Sequence, residues 1–363
     1  MFIIEQFKKL KIMKSKKIIK YSLFSLLSFL FLEGAFTSCK KNMYQRNGNA
    51  EIFVANEEAG TISVIDAITY KEIEKVDLKH KGSIYMPHNV QVAPNGESVW
   101  ATGIPSTEGA DEMVIVLKTR RNKAKEYINV GSEQHLAHVT LDDESKFAYV
   151  TAKSKGQIIK IDVDKMKEVQ RFDLGPETGP HGLRYMNGKL YTACTISKEM
   201  IIVDISSGSL THVPTGGVSV QTAVLPILGS AFVSVFDLKQ VVRYDISTGI
   251  STVIQMPGDS QGPLQVYPSL DNSKVYVCDQ GNVVGNSGSN KLYIINTTTN
   301  LVESTVIVGN GAHGVTTSLD GTKIFVTNLT DNTVSVVDAI TLNVIQTIPV
   351  GVSPNGISFL KGK

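Results

Sequence analysis

The chain has 363 residues, of which 42% are hydrophobic and 7% aromatic, with 36 Lys and Arg against 34 Asp and Glu. Residues 1–38 hold seven of the lysines and two of the glutamates, so the remainder has 29 basic and 32 acidic residues and a net charge of −3. Because neutralising phosphates needs a basic face, this balance argues against nucleic acid as a partner.

The first 38 residues have the pattern of an export signal. Residues 13–20 are basic, and residues 22–32 form an apolar run that ends shortly before Cys39. The run has the length of a signal-peptide core and is too short for a comfortable membrane span. We therefore expect a signal peptide over residues 1–38, truly starting at Met13, and a polar tether over residues 39–50.

The segment around Cys39 resembles the lipobox of bacterial lipoproteins. Ser38-Cys39-Lys40 is similar to the looser boxes of Bacteroidetes lipoproteins, whereas Phe36 departs from the usual aliphatic residue. The resemblance implies cleavage before Cys39 and lipidation of Cys39, which would hold the protein stably on a membrane of the cell envelope. The outer membrane is the expected site, on its periplasmic or its exposed side. An ordinary signal peptide or an uncleaved signal anchor is the alternative.

From residue 51 onward the sequence repeats a unit of 41 to 49 residues. Each unit contains short β-branched and aromatic runs between Asx- and Gly-containing turns, as antiparallel meanders do. About four strands per unit at this period predict an all-β fold, a seven-bladed β-propeller of four-stranded antiparallel blades over residues 51–363. One marker position, at the end of the second strand, defines the repeat: Asn56, Gly103, Ala152, Cys194, Val235, Asp279 and Asn328.

The two ends of the repeat region complement each other. The first unit supplies three strands, and residues 355–360 form one strand with no partner after it. We therefore expect the C-terminal strand to join the N-terminal blade and close the ring, which removes exposed sheet edges.

Three marker segments carry a family resemblance. Phe-Val-Ala-Asn at 53–56, Tyr-Val-Thr-Ala at 149–152 and Phe-Val-Thr-Asn at 325–328 are each followed by a strand like that of residues 63–66. They resemble the YVTN-type repeat of bacterial surface and periplasmic propellers, which includes binding proteins, surface-layer proteins and redox-enzyme domains. The resemblance implies the fold and leaves the function open. A CxxCH haem motif is absent from the sequence, which disfavours a nitrite reductase of the cytochrome cd1 type.

Repeated residues outside the markers have structural interpretations. An aspartate stands ten residues after the marker in five units and should cap the turn after the third strand. An aromatic residue in every unit should form a layer of the core. Cys194 and Cys278 fall in blades that are not neighbours, so we expect two buried free thiols.

Polar residues recur at the start of the innermost strands. Four histidines, His88, His138, His181 and His313, take this place, with Gln221, Leu264 and Asn355 in the other units. Because equivalent positions of a ring lie on one circle, we expect the imidazoles to surround one mouth of the central channel. The two long insertions, at residues 104–112 and 280–290, should lie on the same face, where ligand-binding loops are common.

The histidines admit three interpretations. They line the channel as polar residues, they bind a small-molecule or protein ligand, or they hold a metal ion or a haem-type cofactor. We expect a non-catalytic, lipid-anchored binding protein. One sharper version of this expectation is a surface lipoprotein that captures a nutrient or a cofactor, similar to the vitamin B12-binding propellers of Bacteroidetes. The expected ligand residues are His88, His138, His181, Gln221, His313 and Asn355. The alternative is a redox-associated propeller or enzyme that handles metal or haem, with the four histidines as metal ligands.

Overall fold

The computed structural model describes residues 50–119, 125–281 and 287–362. Within these residues, seven antiparallel sheets follow one another along the chain and form a seven-bladed β-propeller. The predicted fold class is therefore confirmed. The signal peptide, Cys39 and nearly all of the tether lie outside the described residues. No helix in the described part of the chain is long and apolar enough to span a membrane.

The blades, in chain order, are built from the following strands. The first contains β1 (Glu51–Asn56), β2 (Thr61–Asp66) and β3 (Lys71–Asp77), and the second contains β4 (Lys79–His80), β5 (Ser83–Met86), β6 (Val90–Val92), β7 (Ser98–Pro105), β8 (Glu112–Lys118) and β9 (Lys125–Gly131). The third contains β10 (Leu136–Leu141), β11 (Phe147–Ala152), β12 (Gln157–Asp162) and β13 (Lys167–Asp173), and the fourth contains β14 (Pro180–Met186), β15 (Lys189–Cys194), β16 (Glu199–Asp204) and β17 (Leu210–Pro214). The fifth contains β18 (Ser219–Leu225), β19 (Ser230–Val235), β20 (Gln240–Asp245) and β21 (Ser251–Gln255), and the sixth contains β22 (Pro263–Pro268), β23 (Lys274–Gly281), β24 (Gly288–Asn296) and β25 (Leu301–Ile307). The seventh contains β26 (Ala312–Thr317), β27 (Lys323–Asn328), β28 (Thr333–Asp338) and β29 (Val344–Pro349), and the last strand is β30 (Pro354–Leu360).

The ring closes as the sequence predicts. Strand β30 pairs with β1 in the sheet order β3-β2-β1-β30, with Ile357 opposite Val54 and Phe359 opposite Ile52. The first blade is thus assembled from both ends of the repeat region, and the inner edge of β1 is covered.

The second blade departs from the simple repeat. Its four strands β6 to β9 are extended by the hairpin β4–β5, whose Tyr85 pairs with Pro105 of the lengthened strand β7. The first long insertion is therefore partly ordered as added sheet.

The core consists of layers between blades. One aromatic residue from each blade lies in it, and each is at most 3% exposed. Cys194 and Cys278 are buried free thiols, as predicted. The aromatic residues are Phe53, Trp100, Tyr149, Tyr191, Phe232, Tyr276 and Phe325.

The repeated aspartates cap turns as expected. Asp66 Oδ1 accepts hydrogen bonds from the backbone N–H groups of Ile68 and Thr69, and Asp338 Oδ1 accepts them from Ile340 and Thr341. Such bonds satisfy backbone donors that no strand can pair.

The marker asparagines tie neighbouring blades together. The Oδ1 atom of Asn56 accepts the N–H of Gly351 at 3.1 Å, and its Nδ2 group donates to Thr61 and Ser63. Asn328 bonds Gly309 in the same way at 3.1 Å. Each asparagine therefore joins its own blade to the loop that leaves the preceding blade.

Candidate functional site

A β-bulge at the start of the innermost strands positions the candidate residues. In six blades the pairing of the first two strands skips a residue near the start of the inner strand, for example between Leu136 and Val139 and between Pro180 and Leu183. The bulge leaves two consecutive residues of the inner strand unpaired, and their side chains point in different directions. In each blade, these two residues directly precede the residue at which pairing with the second strand resumes. Taken over the seven blades, they define two rings of residues. The mouth ring is His88, Ala137, His181, Val220, Leu264, His313 and Asn355, and the inner ring is Asn89, His138, Gly182, Gln221, Gln265, Gly314 and Gly356.

The two rings correct the prediction that all the polar residues share one position. His88, His181, His313 and Asn355 lie in the mouth ring, whereas His138 and Gln221 lie one residue further into the channel. The spacing of the repeat fixes the strands but does not reveal which bulge residue carries the polar side chain. Leu264 lies in the mouth ring, but its polar neighbour Gln265 is the residue that contacts His138.

Glycine in the inner ring makes room for the polar residues of the next blade. A Cβ atom on Gly182 would lie 2.2 Å from Gln221 Oε1 and 2.6 Å from the carbonyl oxygen of Val220. A Cβ atom on Gly314 would lie 2.3 Å from the carbonyl oxygen of Asn355. The His-Gly pairs of the sequence therefore let adjacent inner strands approach closely at the channel.

The mouth-ring histidines are each held through Nδ1. His88 Nδ1 lies 3.2 Å from Glu57 Oε2, and Asn355 Nδ2 donates to the same carboxylate at 2.5 Å. His181 Nδ1 donates to the carbonyl oxygen of Val220 at 3.0 Å. His313 Nδ1 bonds Gln280 Oε1. The Nε2 atoms of His88 and His313 are buried and have no hydrogen-bond partner among the described residues.

The inner-ring histidine lies between two glutamines. His138 is 1% exposed, with Gln221 Nε2 at 3.2 Å from Nδ1 and Gln265 Nε2 at 3.3 Å from Nε2. Gln221 Nε2 also donates to Gln265 Oε1 at 2.7 Å. The three residues form a continuous polar floor beneath the mouth ring.

The imidazoles form one cluster. The His88 ring centroid lies 5.8 Å from that of His138, 5.2 Å from His181 and 6.4 Å from His313, and the His138 and His181 centroids are 5.0 Å apart. Potential ligand nitrogens of His88, His138 and His181 all lie within 4.8 Å of one another. Among the described residues, these three are the group that could hold a metal ion.

Burial keeps most of these imidazoles uncharged. Desolvation, followed by the charges of neighbouring histidines, holds the pKa of His138 and of His181 well below the usual value, and it lowers the pKa of His313 to about 3. Burial by itself would raise the pKa of Glu57, but hydrogen bonding and charge from His88 together with the amide of Asn355 lower that pKa to about 2. At neutral pH the site thus combines the neutral imidazoles of His138, His181 and His313 with the Glu57 carboxylate.

The residues that follow the markers complete the mouth. Glu57, Lys153 and Gln280 each stand one position after a marker, and each reaches the histidines or the cavity beside them. These three residues were not predicted from the sequence, although their fixed offset from the marker is visible there. One described residue of each insertion lies at this mouth. Gln280 of the second insertion contacts His313, and the Glu112 carboxylate of the first accepts the N–H of Leu136 at the start of β10.

A cavity of about 560 Å³ opens beside the histidine cluster. One wall is apolar and belongs to a buried cluster of its own, made by Val220, Phe236 and Leu264 with Val218 packed against it. The facing side is polar. It consists of Lys153, His181, Thr195, Asp237, Gln280 and His313.

Lys153 is the cation of the cavity. It lies in a short 3-10 turn over Lys153–Lys155, and burial lowers the pKa of its amine. Within the described parts of the chain its ammonium group has no ion-pair partner, whereas Lys155 of the same turn pairs with Glu133 at 3.5 Å. A partly buried lysine without a counter-ion favours an anionic guest.

Comparison with known proteins places this site on a shared fold. Catalytically inactive virginiamycin B lyase from Staphylococcus aureus with quinupristin is 15% identical, with 79% of this chain and 95% of that chain covered at a TM-score of 0.63. Kuenenia stuttgartiensis hydrazine synthase is 13% identical, with 75% and 89% covered and a TM-score of 0.62. Apo AztD from Citrobacter koseri is 15% identical, with 86% and 98% covered and a TM-score of 0.56.

These similarities show a seven-bladed propeller and no more about this chain, because the identities are low. No protein-family model matches the sequence, and no curated protein sequence matches it either.

Proposed function

We propose that this chain is a non-catalytic binding protein of the bacterial cell envelope, and that it takes a small organic anion in the cavity beside the histidine cluster. The observation that carries the proposal is the cavity itself, of about 560 Å³, which has an apolar wall and one lysine, Lys153, without an ion-pair partner among the described residues. The Asp237 carboxylate also lines the cavity, and it accepts the N–H of Val218. Ligand pockets typically span about 300–1,000 Å³ and combine apolar walls with a few convergent polar groups.

The apolar wall favours a ligand with a hydrocarbon body. Phe236 and Leu264 are buried, and both line the cavity from the fifth and sixth blades. Apolar area that a ligand removes from water contributes about 25 cal/mol per Å². Lys153 at the opposite side would meet a carboxylate or a similar anionic head group, with Gln280 as a further donor.

The envelope location rests on the sequence. Residues 13–38 have the order of a signal peptide, and lipidation of Cys39 followed by a polar tether would let the propeller stand off the membrane. A protein partner, the other ligand that the sequence leaves open, would use the outer surface and would not need the cavity.

A fluorescence titration with anilinonaphthalene sulfonate, an apolar anion, tests the proposal. We expect one saturable site, from which decanoate displaces the probe at least about tenfold more effectively than uncharged decanol, because one hydrogen bond to a charged group is worth about 1.5–3 kcal/mol. Lys153→Met should weaken decanoate binding by about tenfold and leave decanol unchanged.

The matched control is Lys155→Met. This substitution removes the neighbouring lysine of the same turn, which is paired with Glu133 and does not line the cavity. Equal affinities for decanoate and decanol, or equal losses in the two lysine variants, would refute an anion site at Lys153.

A second candidate function is the handling of a metal ion or metal cofactor. The histidine cluster favours it, and one structural neighbour is a lyase whose histidine-to-alanine variant is inactive. The inactive variant indicates that the lyase needs this histidine for catalysis. An enzyme that uses the histidines of the propeller is therefore the alternative to a binding protein.

A further inference from the structure

The histidine cluster has the arrangement found around bound metal ions. Metal-ligating histidines usually donate the second ring N–H to a carboxylate or a carbonyl oxygen, which fixes the tautomer and aims the other nitrogen at the metal. His88 donates from Nδ1 to Glu57, and His181 donates from Nδ1 to the carbonyl oxygen of Val220. His313 bonds Gln280 Oε1 in the same way. In three imidazoles from three blades, Nδ1 is therefore engaged by an oxygen atom and Nε2 is the nitrogen left for a ligand.

Two of these nitrogen atoms lack a partner. The Nε2 atoms of His88 and His313 are buried and have no hydrogen-bond partner in the described part of the chain, although the Asn355 side chain, whose Oδ1 is unpaired too, raises the pKa of His313. A buried polar atom without a partner costs about 1–3 kcal/mol. The unpaired nitrogen of His88 belongs to the group of His88, His138 and His181, and its lone pair is available to a ligand that accepts it.

The inner-ring histidine adds a third donor. A neutral imidazole has one acceptor nitrogen, so His138 cannot accept hydrogen bonds from the amide groups of both Gln221 and Gln265. The nitrogen that accepts from an amide carries the lone pair that a metal ion would use. If His138 gives up this hydrogen bond, its lone pair becomes available to a metal ion that His88 and His181 also bind.

We propose that His88, His138 and His181 bind one divalent transition-metal ion, of the zinc or copper type, at the floor of the mouth. The cluster nitrogens lie within 4.8 Å of one another. Zn–N bonds of about 2.0–2.1 Å in tetrahedral geometry place ligand nitrogens about 3.3 Å apart, so the rings close by about 1.5 Å through side-chain rotation. The His313 ring centroid lies 6.4 Å from that of His88, so a fourth imidazole stands beside these three.

The electrostatics of the site suit a cation. The three ligands are imidazoles, which zinc, copper and nickel prefer, and the Glu57 carboxylate behind His88 supplies negative charge without taking a coordination position. Asn355 Nδ2 holds that carboxylate at 2.5 Å. Glu57 is thus a positioning residue, since it fixes the tautomer of His88.

Metal titration of the full chain, purified in detergent without a histidine tag and stripped with a chelator, tests the proposal. We expect one equivalent of Zn²⁺ to compete with a chromophoric chelator, and Co²⁺ to give the intense visible bands of a nitrogen-rich tetrahedral site. His88→Gln and His181→Gln should each weaken Zn²⁺ binding at least about 100-fold, and Glu57→Gln about 10–100-fold.

The control is His212→Gln. His212 also pairs with a carboxylate, since its Nδ1 lies 3.0 Å from Glu199 Oε2, but it lies on the exposed part of the fourth blade. Its removal should leave Zn²⁺ affinity and the Co²⁺ spectrum unchanged. Circular dichroism and the melting temperature of the metal-free variants separate loss of binding from loss of folding.

Three results would overturn the proposal. They are binding of less than one equivalent, a pale octahedral Co²⁺ spectrum, and an equal effect of the His212 and His88 substitutions in folded proteins. The organic-anion titration is run on the metal-free protein, so failure of the metal site leaves the proposed function to its own test, and failure of anion binding leaves the metal site standing.

Discussion

The buried neutral histidines should make the propeller lose stability in mild acid. His313 is 5% exposed, and burial together with the charge of His88 lowers its pKa from 6.5 to about 3, against the opposing effects of Glu57 and Asn355. In the unfolded chain the same imidazole takes up a proton below about pH 6.5. The stabilisation by neutral His313 is therefore present above pH 6.5 and is lost as the pH falls towards 3.

The expected magnitude follows from the separation of the two pKa values. At about pH 5 the unfolded state gains about 2 kcal/mol relative to the folded state from this one histidine, because each pH unit below the unfolded pKa is worth about 1.4 kcal/mol. His138 and His181 act with the same sign, since their pKa values also lie well below the usual range. The carboxylates with lowered pKa values, such as Glu57, act mainly below about pH 4.5. Burial raises the pKa of Glu51 to about 7, so its effect on stability has the opposite sign in this window and cancels only when the wild type is compared with a variant.

Urea unfolding of the wild type and of His313→Gln, at about pH 7.5 and about pH 5 with a chelator present, measures the effect. The glutamine can keep a contact with Gln280 but does not titrate. We expect the stability difference between the two proteins to change by about 2 kcal/mol between the two pH values, in favour of the variant at low pH. Parallel losses in the two proteins would refute the assignment of His313 as a buried neutral imidazole.

Three further predictions test the fold and the anchor. Deleting residues 354–363 removes β30, and we expect it to prevent formation of a monomeric folded ring, measured by size-exclusion chromatography and circular dichroism; a folded monomer would contradict closure through β1. Gly182→Ala should destabilise the protein by about 1–3 kcal/mol in urea unfolding, because its Cβ would meet the carbonyl oxygen of Val220 and Gln221, whereas Gly258→Ala, at a turn with no neighbour within 4 Å and no positive φ, controls for the loss of a glycine. Cys39→Ala should move the protein from the membrane fraction to the soluble fraction after cell lysis, and unchanged membrane retention would count against lipidation.

The ring of seven blades could be predicted from the sequence because residues with the same structural role recur in successive blades. The marker at the end of the second strand and the aspartate ten residues later, such as Asn328 and Asp338, coincide with the ends of β27 and β28. The first unit has three strands, and the C-terminal end of the repeat region has one strand without a partner. Together they predicted the pairing of β30 with β1. These features depend on backbone hydrogen bonding, which short-range sequence pattern reports well.

The site was predicted only in part. The positions of His88, His181 and His313 follow from the repeat, but the bulge shifts His138 by one residue, and a bulge adds no sequence signal when either of its two residues can be polar. Glu57 was also missed. It follows the marker Asn56 in a turn, where an acidic residue is common, and its role depends on the side chain of His88 from the next blade.

The most direct test of the proposed binding function is a crystal structure of the protein with an iodinated aromatic carboxylate, in which anomalous scattering locates the iodine. We expect the iodine against the wall of Phe236 and Leu264 and the carboxylate within hydrogen-bonding distance of Lys153 Nζ. A probe that leaves the cavity empty while binding elsewhere, or that binds with its carboxylate turned away from Lys153, would contradict the account.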